Sequence, residues 1–353
     1  KVVIAYVDGD DTNKGKAVVA TVSGTSISFG SPVTYEAGNT GSMDCVFDNS
    51  NNKIVIIFQD NGDSGKGKGI VGTVSGTSIS FGSPTQFNAG ANNAYNIAAA
   101  FDSSNNKVVV AYRDNGNSDY GTAAVGTVSG TSISFGSAAV FNAGETSQIV
   151  GTFDSSNNKV VLAYRDNGNS DQGTAIVGTV SGTSISFGSE VIFNTANTQG
   201  TSAVFDTDAT KVVISYEDRG DSDKGKFIVG TVSGTSISFD TEINFSGSNA
   251  VAQTGAAFDS NANKVVIAFM NDTDSNNRGE GIVTSIDSIS RAQIVNGGKA
   301  VIDSTNTISR NQRGLTAGQT LYVQTDGTLS ETADDPSVTA GTAISATELI
   351  VKG

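Results

Sequence analysis

Apolar and polar positions recur along this chain in a pattern typical of short β-strands. Lys107–Asp114 is a β-branched run that is apolar on both faces until its end, which predicts a strand buried between two layers. Thr131–Gly136 alternates polar and apolar residues with a period of two, which predicts a strand with one face in water. No segment has the 3.6-residue apolar stripe of an amphipathic helix, so the pattern predicts an all-β protein.

Two further strands and two turns complete this unit. Ala98–Asp102 and Thr122–Val128 are apolar runs, while Ser103–Asn106 and Ser129–Gly130 have turn-forming residues. The unit therefore has four strands, of which the inner ones are the most apolar and the outer one is amphipathic. This outward gradient is typical of a blade of a β-propeller, whose first strand lies near a central channel.

The unit repeats along most of the chain. A segment reading Thr-Val-Ser-Gly-Thr-Ser-Ile-Ser-Phe or a variant of it opens at positions 21, 73, 127, 179, 231 and 284, in steps of 52, 54, 52, 52 and 53 residues. A period of this size indicates a solenoid, a propeller or an array. The marker Lys-Val-Val or its variant also occurs six times, which predicts about six blades. The marker lysines, which number the repeats below, are Lys1, Lys53, Lys107, Lys159, Lys211 and Lys264.

The ends of the repeat region suggest how a ring closes. The chain begins at Lys1 without Met, after the place of the first Phe-Asp strand, so we expect a processed or trimmed product. The segment 299–306 resembles that strand, and we expect it to complete the first blade and close the ring. The alternatives are an open array and a ring that lacks an upstream blade. We therefore predict propeller repeats over 1–306 and a small β module over 307–353.

Composition and charge exclude several classes of partner. The 353-residue chain has a formal net charge of −14 and a pI of about 4.3, so we expect no nucleic acid and no anionic membrane surface as partner. No apolar run approaches 18 residues, so no membrane insertion is expected. The single cysteine, Cys45, cannot form an intrachain disulfide and is interpreted as a small buried apolar residue.

Catalytic chemistry has few candidate residues. The chain contains no His, which removes the Ser-His-Asp triad and the common imidazole zinc sites. Most acidic residues recur in register, as an acid that caps a turn does, whereas a catalytic pair would interrupt the repeat. The sequence thus predicts that the protein is not an enzyme. The alternative is a propeller glycosidase that uses paired carboxylates.

The loops after the second strand of each repeat are rich in Asp, Asn and Gly. Such oxygen-rich loops can hold Ca²⁺, although none has the EF-hand pattern. The most plausible ligands are Asp8 and Asp10 in the first repeat and Asp272 and Asp274 in the sixth. The alternative is an ordinary Asx/Gly turn with solvated carboxylates and no cofactor.

The repeats differ most just before the Phe-Asp strand and inside the Asp-rich loop. Variable loops on a nearly constant β scaffold favour a function in recognition, and tyrosines in these segments could stack on a sugar. Neutral drift at exposed turns is the alternative. The candidate ligand-binding residues are Tyr95, Asn96, Tyr120, Gln148, Gln172 and Lys224.

Two long motifs resemble a known group of proteins. The first is Phe-Asp-Ser-Ser-Asn-Asn-Lys-Val-Val at 101–109 with Val-Gly-Thr-Val-Ser-Gly-Thr-Ser-Ile-Ser-Phe-Gly-Ser at 125–137, and the second is Gly-Leu-Thr-Ala-Gly-Gln-Thr-Leu-Tyr-Val-Gln-Thr-Asp-Gly at 314–327. They resemble tail-fibre or receptor-binding repeat proteins of marine bacteriophages and a C-terminal module of phage structural proteins. This resemblance covers nearly the whole chain.

The resemblance implies a function and a location. It implies an extracellular virion surface protein, often a trimer, that binds a glycan or protein receptor on the host and contacts other virion proteins. It assigns no catalytic residue. A purely structural role, as a decoration or filament subunit, is the alternative.

Overall fold

The computed structural model describes residues 1–88, 93–273 and 278–286, and the backbone of five short strands between 308 and 351. The chain divides into one unit over Lys1–Ser285 and a second over Ile286–Gly353. Strands dominate the first unit, and the elements described in the second unit are strands. Among the described residues, no helix is long and apolar enough to span a membrane.

The first unit contains strands β1 to β24. In the first two repeats they are β1 (Val2–Asp8), β2 (Lys14–Ser23), β3 (Ser26–Phe29), β4 (Val33–Asp48), β5 (Lys53–Asp60), β6 (Lys66–Ser75), β7 (Ser78–Phe81) and β8 (Thr85–Gln86). In the next two they are β9 (Ala94–Asp102), β10 (Lys107–Asp114), β11 (Tyr120–Ser129), β12 (Ser132–Phe135), β13 (Ala139–Asp154), β14 (Lys159–Asp166), β15 (Gln172–Ser181) and β16 (Ser184–Phe187).

The remaining strands of this unit are β17 (Val191–Asp206), β18 (Lys211–Asp218), β19 (Lys224–Ser233), β20 (Ser236–Phe239), β21 (Ile243–Asn244), β22 (Val251–Asp259), β23 (Lys264–Asn271) and β24 (Arg278–Thr284). Five single-turn 3₁₀ helices follow the second strands, at Gly9–Asp11, Asn61–Asp63, Asn115–Asn117, Asn167–Asn169 and Arg219–Asp221. The described helical structure is limited to these turns.

The third repeat shows how one sheet is built. β9, β10 and β11 pair in sequence order, all antiparallel. The outer position is divided, because β12 pairs with the second half of β11 and the start of β13 pairs with its first half. β13 then continues from Thr146 as the innermost strand of the next sheet, where it pairs with β14. Each long strand of this kind therefore belongs to two sheets.

Successive sheets pack face to face around their innermost strands. Val55 and Ile57 of β5 share an apolar cluster with Val108 and Val110 of β10, and all four side chains are fully buried. Neighbouring innermost strands also bond directly, as where the amide of Ala99 donates to Asp44 Oδ2 over 2.8 Å. Four-stranded antiparallel sheets set side by side in this way form a β-propeller, as the sequence predicts.

The blade number stays a prediction. The first repeat has no innermost strand among the described residues, and the sixth is described only over β22, β23 and β24. Apolar side chains on the free faces of these repeats are correspondingly exposed, by 45% at Val2 and 66% at Val283. The segment 299–306, which we expect to close the ring, lies outside the described residues.

The second unit contains one antiparallel sheet. Its strands are β25 (Ile308–Ser309), β26 (Thr320–Val323), β27 (Leu329–Ser330), β28 (Val338–Ser345) and β29 (Glu348–Val351). Their order in the sheet is β25-β29-β28-β26-β27.

Candidate functional site

The recurring acids hold turns at the two ends of the sheets. At one end, Asp102 is buried and accepts the amides of Ser104 and Asn105 over 2.9 and 3.0 Å. At the other end, Asp218 Oδ1 accepts the amide of Gly220 over 2.9 Å and caps the 3₁₀ turn. These bonds satisfy backbone donors that the turns would otherwise leave unpaired.

Three repeats add a lysine to the capping aspartate. In the fifth repeat, Lys226 Nζ lies 2.8 Å from Asp218 Oδ2, 3.1 Å from Asp221 Oδ2 and 2.6 Å from Glu242 Oε1. These carboxylates hold the pKa of Lys226 above its ordinary value, against the opposing effect of burial. In the first and second repeats, Lys16 and Lys68 contact two aspartates each in the same way.

The three described candidate calcium ligands, Asp8, Asp10 and Asp272, do not belong to a larger cluster of acidic side chains. Asp8 Oδ2 lies 2.7 Å from Lys16 Nζ, so its charge is already paired, while Asp10 and Asp272 are exposed. Asp274 lies outside the described residues. Within the described part of the chain there is no group of three or more His, Cys, Asp or Glu side chains that could hold a metal ion. Calcium binding stays a prediction.

A polar and aromatic surface lies at the end of the third repeat that carries the 3₁₀ turn. Arg113 NH2 is 2.8 Å from Asp119 Oδ2 and its NH1 is 3.3 Å from Glu145 Oε1. Tyr95 is the cross-strand neighbour of Arg113, and Tyr120 is the neighbour of Glu145. We call these five residues the third-repeat surface.

The charges on the third-repeat surface are paired with one another, but one hydrogen-bond donor is left without a partner among the described residues. The guanidinium of Arg113 holds the pKa of Asp119 below its usual range through a side-chain hydrogen bond. Arg113 Nε is buried and has no hydrogen-bond partner among the described residues. Tyr95 and Tyr120 are both half-buried, which leaves part of each ring open to solvent.

The predicted ligand-binding residues lie in strands rather than at loop tips. Asn96 and Gln148 occupy bulges with φ of +48° and +51°, and the amide of Gln148 donates to Asn96 Oδ1 over 3.2 Å. Gln172 accepts from Asn169 Nδ2 over 2.9 Å, and Lys224 pairs with Asp221 over 2.8 Å. The structure brings Asn96 and Gln148 together beside Tyr95 and leaves Gln172 and Lys224 in separate repeats.

Sequence reasoning missed the cation at the centre of the third-repeat surface. Arg113 lies inside a predicted strand, whereas the predicted binding residues come from the variable segments outside it. The available signal was variation at that one strand position, which the second and fifth repeats fill with Gln59 and Glu217.

Comparison with known proteins shows similarity at the level of the fold. No protein-family model matches the chain, and no curated protein sequence matches it. The BP39L lectin from Burkholderia pseudomallei has a similar structure, with a TM-score of 0.57, 11% identity and coverage of 80% of this chain and 81% of the lectin chain. A triple mutant of AofleA from Arthrobotrys oligospora has a TM-score of 0.50 and 9% identity over 78% of this chain and 77% of that one.

The prediction that the protein is not an enzyme is contradicted. A candidate 6-phosphogluconolactonase from Bacteroides uniformis has a TM-score of 0.50 and 8% identity, over 81% of this chain and 83% of that one. The same fold therefore occurs in a protein assigned to catalysis as well as in a lectin. The error came from treating the absence of histidine and the register of the acids as sufficient to exclude catalysis.

Proposed function

We propose that this protein binds carbohydrate through the third-repeat surface. The observation that carries the proposal is the arrangement of Arg113 between Asp119 and Glu145, with Tyr95 and Tyr120 as cross-strand neighbours. The similarity of the fold to a lectin supports the same function.

The chemistry of these side chains suits a sugar. Partly exposed tyrosine rings offer apolar faces that can pack on the C–H face of a pyranose, and their hydroxyls can bond ring substituents. Carboxylates accept hydrogen bonds from sugar hydroxyls, and a guanidinium donates along a planar fork. The two acidic residues hold the guanidinium of Arg113 in one orientation before a ligand binds. This preorganisation lowers the entropic cost of binding.

A glycan array with three forms of the protein tests the proposal. The wild type should bind a defined set of glycans, and Arg113→Lys should weaken that binding by about tenfold or more, because lysine keeps the charge but loses the fork. Arg165→Lys is the matched control, since Arg165 occupies the same strand position in the fourth repeat without the flanking tyrosines. Equal binding by wild type and Arg113→Lys would refute the site.

The resemblance to phage repeat proteins supports a finer proposal about where this binding acts. We infer that the protein is displayed on a virion surface and recognises a glycan on its host cell. Purified protein should then bind intact host cells and should be displaced by the glycan found on the array. Binding to cells that this glycan does not displace would contradict the inference.

A further inference from the structure

The fourth and fifth repeats share a constellation of side chains that differs in two places. Both have a buried tyrosine, an aspartate at the N-cap position of the 3₁₀ turn and a glutamate directly before the next strand. The lysine of the fifth repeat is a threonine in the fourth, and Asp221, which also contacts that lysine, is replaced by Asn169. The corresponding residues, fourth repeat first, are Tyr164 and Tyr216, Asp166 and Asp218, Thr174 and Lys226, Glu190 and Glu242.

In the fifth repeat three carboxylates surround the lysine ammonium, and two of them have counterparts in the fourth. Lys226 Nζ is 2.8 Å from Asp218 Oδ2 and 2.6 Å from Glu242 Oε1. The hydroxyl of Tyr216 donates to the other oxygen of Glu242 over 2.8 Å, which fixes the glutamate in place. The fifth repeat therefore shows which group this constellation accepts.

The fourth repeat keeps the tyrosine and two of the three carboxylates of this site, without the lysine. Tyr164 is fully buried, packs on Phe141 with ring centroids 5.1 Å apart, and donates its hydroxyl to Glu190 Oε1 over 2.8 Å. Asp166 is 6% exposed, and its Oδ1 atom is buried without a hydrogen-bond partner among the described residues. The hydroxyl of Thr174 is likewise buried and finds no hydrogen-bond partner in the described part of the chain.

The carboxylates of Asp166 and Glu190 line the same surface depression. A depression of about 380 Å³ is lined by Asn142, Ala143, Gly144, Asp166, Gly168, Asn169 and Glu190. We call it the fourth-repeat pocket. A buried carboxylate oxygen without a partner is unfavourable, so a cation that enters this pocket stabilises the negative charge of Asp166.

We propose that the fourth-repeat pocket binds the primary ammonium group of a ligand, in the position that Lys226 Nζ occupies in the fifth repeat. The third repeat does not offer the same site, because Ala138 stands where the fourth repeat has Glu190. A calcium ion is a poorer match, since it takes six to eight oxygen ligands and the pocket presents two carboxylates. The proposed site lies in the fourth repeat and does not depend on sugar binding at the third.

Calorimetric titration with matched small ligands tests the proposal. Glucosamine and glucose differ by an ammonium group in place of one hydroxyl, so glucosamine should bind about tenfold more tightly or better. n-Butylammonium should compete with it. A lysine-containing peptide and a deacetylated chito-oligosaccharide then distinguish a protein ligand from an amino sugar, and binding of either supports the site.

Three variants assign the binding to the fourth-repeat pocket. Glu190→Gln keeps an acceptor for the Tyr164 hydroxyl and removes one charge, so it should weaken glucosamine binding about tenfold. Thr174→Lys should abolish binding by placing an internal ammonium in the pocket. Glu242→Gln in the fifth repeat is the matched control and should leave binding unchanged, because Lys226 already fills that site.

Several results would overturn the proposal. Equal affinity for glucosamine and glucose would remove the ammonium from the recognition, and an unchanged affinity in Glu190→Gln would place binding elsewhere. Calcium that binds in a Glu190-dependent manner, while amines do not, would make the pocket a metal site instead. The Glu190→Gln result decides the case even if Thr174→Lys fails to fold.

Discussion

The backbone carbonyl of Thr183 lies so close to the Cα of Gly136 that a β-carbon on residue 136 has no room. Thr183 is in the hairpin between β15 and β16, and Gly136 directly follows β12 of the preceding repeat. The same contact joins Gly30 with Thr77 and Gly188 with Thr235. The outer hairpin of one repeat thus packs against a glycine of the preceding repeat.

Replacing Gly136 should weaken the packing between two neighbouring sheets. Gly136→Ala should lower the free energy of unfolding by about 1–3 kcal/mol, because the added methyl must displace backbone rather than a flexible side chain. Chemical denaturation measures the loss. Gly255→Ala is the matched control, since a β-carbon there meets no atom within 4 Å, and it should be neutral or slightly stabilising. Equal stability of the two variants would contradict the contact.

The buried lysine of the fifth repeat should contribute strongly to stability. Lys226→Met leaves Asp218 and Glu242 facing each other without a cation, and we expect a loss of about 3–5 kcal/mol, the usual cost of breaking a buried pair. Lys224→Met is the control, because Lys224 is a more exposed lysine paired with Asp221, and should cost less than about 1 kcal/mol. Thermal or chemical unfolding that ranks the variants in the opposite order would refute this account.

The first repeat should show an acid-sensitive contribution to stability. Hydrogen bonds from Lys14 and Lys16 lower the pKa of Asp11 from 3.8 to about 2 in the folded protein. A carboxyl whose folded pKa is depressed stabilises the fold fully above its unfolded pKa, and this stabilisation is lost as the pH falls through the folded value. The relevant window therefore extends from about pH 4 down to about pH 2.

Carboxyl resonances followed by NMR can check this titration. Lys14→Met removes the strongest of these hydrogen bonds, so the pKa of Asp11 should move back toward 3.8 and the loss of stability in that window should become smaller. Lys53→Met, in the next repeat, should leave the Asp11 titration unchanged. An Asp11 pKa that does not respond to Lys14→Met would contradict the assigned cause.

Much of the fold could be predicted from local patterns. The β-branched run predicted as a strand at Lys107–Asp114 is β10 with the same bounds, and the alternating segment at Thr131–Gly136 contains β12. Both are recognisable because their side chains alternate or are uniformly apolar.

Gly136 explains a further detail of the sequence. The fifth repeat has Asp240 in its place, and the sixth lacks the Ser-Gly-Thr hairpin that would seat there.

Other features could not be read from local patterns. The sequence does not predict the start of β13 as a strand, because Asn142, Gly144 and Glu145 interrupt the apolar alternation and this segment pairs only with the first half of β11. The candidate sites were harder still. Arg113 lies inside a predicted strand, where no variable binding residue was expected. The fourth-repeat pocket depends on a threonine in place of a lysine. That difference is informative only once the contacts of the lysine in the fifth repeat are known.

The long strands that belong to two sheets have a consequence for how the molecule comes apart. Because β13 is the outer edge of one sheet and the innermost strand of the next, neither sheet can open fully without removing hydrogen bonds from the other. The same holds for β17. Neighbouring blades should consequently melt together as one cooperative block, unlike a string of tethered modules, each of which could open by itself.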